Sequence, residues 1–234
     1  MSNLEAIPVE IPVSDTVRLS GLLRTPPQAR ACYLLAHGAG AGMDHPFMAA
    51  VAAELAKRRI ATLRYQFPYM ERRSRRPDPP QIAQAAVRAA AAAALKFLPK
   101  LPLIAGGKSF GGRMTSQAQA KAPLENVRGL AFLGFPLHAA GRPSHDRAEH
   151  LFDVKIPMLF LQGTRDTLAS LDELRPVCKK LGKLATLKVL ADADHSFHVP
   201  ARTGRKDMQV LSEALDAFSE WLDSDAGFVG SKVK

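Results

Sequence analysis

Short runs of β-type residues alternate with helical patterns from about residue 30 to the end of the chain. The strand-like runs cover residues 31–36, 60–65, 101–105, 127–133, 157–163 and 184–190. The alternation therefore predicts an α/β fold in which helices cover both faces of a mostly parallel sheet.

The first part of the chain has a different pattern. Residues 4–13 and 16–23 form two strand-like runs joined around Ser14 and Asp15, which predicts an antiparallel hairpin at one edge of the sheet. No linker or repeat divides the 234 residues, so we expect a single domain over residues 1–226. Residues 227–234 are expected to form a flexible tail.

Two helix starts carry the pattern of a capping box, in which a side chain at each end of the first turn caps the other's backbone. Asp78 is predicted to cap the helix after the second strand of the alternating region, with Pro79 in its first position and Gln81 three residues after the cap. Ser170 and Glu173 predict the same arrangement before a later amphipathic helix.

The segment around Ser109 lies where a predicted strand ends and a helix begins. Gly107 and Gly111 flank the serine in the order G-x-S-x-G, which is typical of a sharp turn that exposes a nucleophilic hydroxyl. The backbone N–H of Phe110 would then lie at the helix N-terminus, where it can stabilise a developing negative charge. The G-K-S triplet also ends the phosphate-binding P-loop, but that motif needs a glycine where Pro102 stands.

A serine nucleophile requires an imidazole base that is oriented by a carboxylate. Asp166 and His195 follow the ends of the last two predicted strands, in the chain order Ser, Asp, His. They are the expected partners of Ser109. Asp192 and Asp194 are alternative carboxylates close to His195, and His198 is an alternative base.

The loop after the first strand of the alternating region reads H-G-A-G and starts at His37. Its small residues allow the backbone to approach a substrate closely, so we expect the N–H of Ala39, and next that of Gly40, to complete the oxyanion hole. We expect His37 to brace this loop by hydrogen bonding and not to act as a base.

Charge and cysteine content limit the remaining functions. The net charge is +10, and part of the excess lies in the run Arg72–Arg76, whose simplest interpretation is a solvated loop. Nucleic-acid binding is unlikely because aromatic residues make up 6% of the chain and are absent from this run. Cys32 and Cys178 form no disulfide pattern. With no secretion signal and no apolar stretch long enough to span a membrane, we expect a cytoplasmic protein.

No metal or organic cofactor is predicted. Three histidines precede the seventh strand, but their spacing matches no metal-binding signature. They are His138, His145 and His150.

The motifs G-K-S-F-G-G, G-T-R-D, D-H-S-F and H-G-A-G resemble those of the α/β-hydrolase superfamily, over nearly the whole chain. More narrowly, H-G-A-G-A-G-M-D-H-P-F-M, L-R-Y-Q-F-P-Y and F-P-L-H are similar to a small group of dienelactone-hydrolase-like proteins. That group includes bacterial predicted hydrolases and the hydrolase-like domain of a eukaryotic chromatin-complex subunit. The resemblance implies an eight-stranded sheet and a triad of Ser109, Asp166 and His195. True dienelactone hydrolases have cysteine where this chain has serine.

The favoured function is a serine hydrolase that cleaves a carboxylic ester or a related acyl bond of a small molecule, as a monomer or homodimer. About 20 residues connect the strands ending at 133 and starting at 157, so we expect little or no lid and a shallow, open pocket. Arg64, Lys108 and Arg113 would favour an anionic substrate if they faced it. The alternative is a non-catalytic scaffold that binds an acidic partner through its basic surface.

Overall fold

A computed structural model of the protein describes residues 5–74, 76–142 and 144–224. Its eight strands are β1 Ile7–Pro12, β2 Arg18–Arg24, β3 Ala31–Ala36, β4 Ile60–Tyr65, β5 Leu103–Lys108, β6 Val127–Leu133, β7 Met158–Gly163 and β8 Ala185–Leu190. The α-helices are α1 Pro46–Lys57, α2 Pro68–Glu71, α3 Pro80–Phe97, α4 Phe110–Lys121, α5 Leu171–Leu181 and α6 Asp207–Ser224. Short 3₁₀-helices cover Asp146–Asp153, Gly182–Leu184 and Ala201–Thr203.

All eight strands form one sheet in the order β1-β2-β4-β3-β5-β6-β7-β8. Strands β3 to β8 run parallel to one another, whereas β2 runs antiparallel to both β1 and β4. The predicted edge hairpin is therefore confirmed, as is the mostly parallel sheet with helices on both faces. This is the α/β-hydrolase fold, with the eight strands that the resemblance implied.

Alternate residues of the central strands enter two separate hydrophobic cores, because successive strand side chains point to opposite faces. In β3, Leu34 and Ala36 pack in the core that contains the buried residues of α3 and α4. Tyr33 and Leu35 pack on the opposite face with α1 and α6. Burial on both faces explains why these strands consist mainly of apolar residues.

The predicted strand over residues 101–105 is displaced toward the C-terminus. It starts at Leu103 and continues through Gly106 and Gly107 to Lys108. These glycines pair with Leu35 and Ala36 of β3, so the strand continues where sequence analysis placed a turn. The serine therefore follows the last strand residue directly.

The capping box predicted at Asp78 is wrong. Helix α3 begins at Pro80, its N-cap is Pro79, and no side chain caps it. Asp78 instead accepts a hydrogen bond from Arg72, 2.5 Å away, because an ion pair competes with the cap for the same carboxylate. The box formed by Ser170 and Glu173 is confirmed at the start of α5.

The connection between β6 and β7 contains no inserted lid domain in the part that the structure describes. Its regular structure there is the 3₁₀-helix Asp146–Asp153, which packs against α4. The tail predicted for residues 227–234 lies outside the described residues. None of the described helices is both long and apolar enough to cross a bilayer.

Candidate active site

Ser109 lies in a sharp turn between β5 and α4. Its backbone has φ 49° and ψ −111°, a conformation that L-residues rarely adopt and that stores about 1–3 kcal/mol of strain. The flanking glycines make this turn possible, since a Cβ on Gly107 would lie 2.1 Å from the carbonyl oxygen of Ala36. A Cβ on Gly111 would lie 2.5 Å from the same oxygen. The G-x-S-x-G pattern thus corresponds to a strand, a strained turn and a helix packed closely on β3.

The structure brings together the three side chains that sequence analysis paired. Ser109 Oγ lies 2.8 Å from Nε2 of His195, and Nδ1 of the same ring lies 2.7 Å from Oδ2 of Asp166. They follow β5, β7 and β8, whose carboxyl ends lie at the same edge of the sheet. Asp166 is an acceptor, so the geometry favours the tautomer in which Nδ1–H donates to Asp166 and Nε2 accepts from the serine hydroxyl.

Asp166 is held by three donors and is almost fully buried, with 3% of its surface exposed. Besides His195, Oδ1 accepts from the backbone N–H of Leu168 at 2.8 Å, and Oδ2 accepts from Nε2 of Gln162 at 2.7 Å. Gln162 is itself buried, and its side-chain oxygen Oε1 accepts from the backbone N–H of Phe135 at 3.0 Å. These bonds fix the carboxylate toward the imidazole. Sequence analysis missed Gln162, whose one signal is a polar residue inside an otherwise apolar strand.

The alternative partners have other roles. Asp194 Oδ1 accepts from the backbone N–H groups of Ser196 and His198, at 2.7 and 3.0 Å, and so folds the loop that carries His195. His198 Nδ1 pairs with Asp207 at 3.0 Å. Asp192 has φ 58° and its N–H donates to Thr164 Oγ1 at 2.9 Å. These residues organise the loop and leave Asp166 as the carboxylate that contacts His195.

The expected oxyanion donors differ in availability. The amides of Phe110, at the start of α4, and of Ala39 have no hydrogen-bond partner within residues 5–74, 76–142 and 144–224. The amide of Gly40 donates instead to the hydroxyl of Tyr69 at 3.0 Å. The amide of Gly40, which sequence analysis ranked second, is therefore already bonded to Tyr69. The amides of Phe110 and Ala39 remain as the two expected oxyanion donors.

His37 braces the loop, as predicted. Its Nε2 accepts from the N–H of Phe67 at 3.1 Å, so Nδ1 carries the proton and donates to the carbonyl of Gly38 at 2.8 Å. Burial lowers the pKa of His37 to about 4, which keeps the ring neutral near pH 7. A neutral ring with both nitrogens bonded is a structural support and has no free nitrogen for a base.

A cavity of about 380 Å³ opens over these residues. Ser109 and His195 line it together with Ala39 and Lys108, and most of the lining surface is apolar. The other lining residues are Gly38, Ala41, His45, Phe47, Met48, Leu168 and Ser196. A volume near the lower end of the usual range for ligand sites suits a small substrate.

Of the three cations considered above, Lys108 lines the cavity. Arg64 is buried and donates to the carbonyl of Met43 at 2.9 Å. The guanidinium of Arg113 lies 5.9 Å from the ring centroid of Phe110. Both arginines thus have partners outside the lining of the cavity.

Two of the three histidines before β7, His138 and His150, have structural partners. His138 lies 3.2 Å from Glu173, and Nε2 of His150 lies 2.7 Å from Oγ of Ser116. Within the described ranges, no three His, Cys, Asp or Glu side chains are grouped so as to hold a metal ion.

The family of the chain follows from its sequence. A family model described as an alpha/beta hydrolase domain matches residues 29–223, and the chain therefore belongs to that family. The match spans the sheet from β3 onward and every residue of the candidate site.

Solved structures show the same fold at low identity. A dienelactone hydrolase from Anabaena variabilis is 23% identical with a TM-score of 0.76, over 94% of this chain and 97% of that one. A serine hydrolase without a lid from Xanthomonas campestris is 21% identical with a TM-score of 0.72, over 93% and 95%. An esterase domain of a Rhodothermus marinus protein is 16% identical with a TM-score of 0.72, over 97% and 100%.

Proposed function

We propose that the protein is a serine hydrolase that cleaves a carboxylic ester of a small molecule through an acyl-enzyme. The observation that carries this proposal is the unbroken hydrogen-bonded chain from Ser109 through His195 to Asp166, with the serine on the wall of a cavity. The narrower likeness to dienelactone-hydrolase-like proteins fits this chemistry, with serine as the attacking group.

In this mechanism Ser109 Oγ attacks the carbonyl carbon of the ester while Nε2 of His195 takes the hydroxyl proton. The negative charge that develops on the carbonyl oxygen is stabilised by the amides of Phe110 and Ala39. Collapse of this intermediate breaks the ester bond, and the alcohol leaves with the proton from His195. Water then attacks the acyl-enzyme by the same route and releases the acid and the free serine.

Asp166 stabilises the imidazolium that forms in both steps. Each oxyanion donor contributes about 3–4 kcal/mol of transition-state stabilisation in comparable sites. The apolar walls formed by Phe47, Met48 and Leu168 are suited to a short acyl chain or a small alcohol group.

A fluorophosphonate probe tests the proposal because it reacts only with an activated serine. We expect the native protein to be labelled at Ser109 and to hydrolyse p-nitrophenyl butyrate. The variant Ser109→Ala should lose labelling and at least about 10⁴-fold in kcat. Ser116→Ala removes a buried serine whose hydroxyl lies 2.7 Å from a histidine ring, and it should keep both properties. Native protein that takes no label and turns over no ester would favour the scaffold alternative.

A further inference from the structure

Lys108 is the residue directly before the nucleophile, and its role is not explained by the triad. Among the described residues that line the cavity, it is the one Lys or Arg, and none of them is Asp or Glu. Its ammonium does not extend freely into the cavity, since Nζ donates a hydrogen bond to the backbone carbonyl oxygen of His195. The residue before the serine is thus linked to the main chain of His195, the proposed base.

Two aromatic rings and a glycine lie close to this ammonium. Nζ lies 5.6 Å from the ring centroid of Phe197 and 6.0 Å from that of Phe47. On its other side, a Cβ on Gly134 would lie 2.9 Å from Nζ and 3.3 Å from Nδ1 of His195. Gly134 therefore lies close to both the ammonium and the imidazole.

We propose that Lys108 is a positioning residue that holds the main chain of His195 and so keeps its imidazole between Ser109 and Asp166. This inference rests on the proposed function. His195 lies in the loop after β8, and both bonds of its ring are made to residues on other loops. The ring can satisfy both only if its own backbone is fixed. A misplacement of about 1 Å in such a site costs about 10²-fold in rate.

The bond also depends on the charge of Lys108. Burial lowers the pKa of Lys108 to about 8, and the nearby carboxylates of Asp166 and Asp194 oppose this shift. The other titratable side chains bordering the cavity are His45 and His195. A charged donor forms a hydrogen bond about twice as strong as a neutral one. Loss of the proton therefore weakens the hold on His195, and kcat should fall as the pH rises through about 8.

The test measures kcat and KM for native protein, Lys108→Met and Lys108→Arg on two esters. p-Nitrophenyl butyrate is neutral, and mono-p-nitrophenyl succinate carries a carboxylate. Lys121→Met, which removes an exposed lysine from the far end of α4, is the matched control. We expect Lys108→Met to lose about 10- to 100-fold in kcat on both esters, with KM within about twofold. Fluorophosphonate labelling should slow in parallel.

The pH profile separates positioning from simple structural damage. The native protein should lose kcat above pH 8, Lys108→Met should show a low but flat profile there, and Lys108→Arg should recover part of kcat and keep it to higher pH. Should Lys108→Met fail to fold, the comparison of the pH profiles of kcat for native protein and Lys108→Arg still tests whether Lys108 positions His195.

Three results would overturn the inference. One is a Lys108→Met variant with native kcat. Another is a loss confined to the anionic ester with a raised KM, which would mean that Lys108 binds the substrate. The third is the same alkaline profile in native protein and Lys108→Arg. Absence of labelling in the native protein would instead overturn the proposed function itself.

Discussion

Helix α4 carries two serine–histidine pairs of nearly equal length. At its start, Ser109 Oγ lies 2.8 Å from Nε2 of His195, and two turns along, Ser116 Oγ lies 2.7 Å from Nε2 of His150. The hydrogen bond between serine and histidine has opposite donors in the two pairs. Ser116 donates its single hydroxyl proton to the carbonyl of Arg113 at 3.0 Å, so it must accept from His150. Ser109 donates to His195.

The carboxylate beside each histidine accounts for this difference. Asp166 accepts from Nδ1 of His195 and so leaves Nε2 to accept from Ser109. His150 has no such bond in the chain that the structure describes, and Asp153 acts on it only through its charge. The backbone differs as well, since Ser109 lies in a strained turn at a cavity and Ser116 lies fully buried within a regular helix. A short serine–histidine distance therefore does not by itself identify a nucleophilic serine.

The largest effect should come from the carboxylate. We expect Asp166→Asn to reduce kcat about 10⁴-fold. With its amide oxygen accepting from the N–H of Leu168, the NH₂ group takes the place of Oδ2 and donates to Nδ1, so the imidazole presents the wrong tautomer to the serine. Asp153→Asn makes the same change beside His150 and should leave kcat within about twofold. Steady-state hydrolysis of p-nitrophenyl butyrate checks both. Equal losses in the two variants would contradict the distinction between the pairs.

The next effect concerns stability. Ser109→Gly should raise the free energy of unfolding by about 1 kcal/mol while abolishing turnover, since glycine adopts φ 49° without strain. Ser116→Gly should lower it by about 2 kcal/mol, through the lost hydrogen bond to His150 and the poor helix propensity of glycine. Urea unfolding of both variants checks the signs. A Ser109→Gly variant less stable than native protein would show that the turn is not strained.

The smallest effect is on the pH dependence of stability. Burial, with the charge of Arg113, lowers the pKa of His150 to about 4 from 6.5. Between these values the unfolded chain binds more protons, so His150 makes stability increase with pH across this window. His150→Gln should flatten that increase, whereas His145→Gln, at an exposed position nearby, should not. His37 adds to the slope in all three proteins. Urea unfolding midpoints measured between pH 4 and 6.5 give the slope of stability against pH. An unchanged slope in His150→Gln would contradict burial of the neutral ring.

Sequence analysis predicted most of the fold because the relevant signals are local. Short strand-like runs that alternate with helical patterns indicated the parallel sheet, and Ser170 with Glu173 indicated a helix start. It failed where a local signal competes with a distant partner. Asp78 has the pattern of a cap, but it pairs with Arg72 instead. The amide of Gly40 is a plausible oxyanion donor until Tyr69, which is distant in sequence, accepts from it.

The sequence by itself determined the strained turn around Ser109 and the order in which Ser109, Asp166 and His195 follow their strands, because glycine spacing and strand ends are properties of neighbouring residues. Only the tertiary structure decided which acceptor each serine hydroxyl donates to. It also decided that Gln162 bonds to Asp166 and that Lys108 bonds to the main chain of His195. Those features depend on which donors and acceptors meet across different loops. Hydrogen bonds between residues far apart in the chain form only after the sheet has brought the loops together.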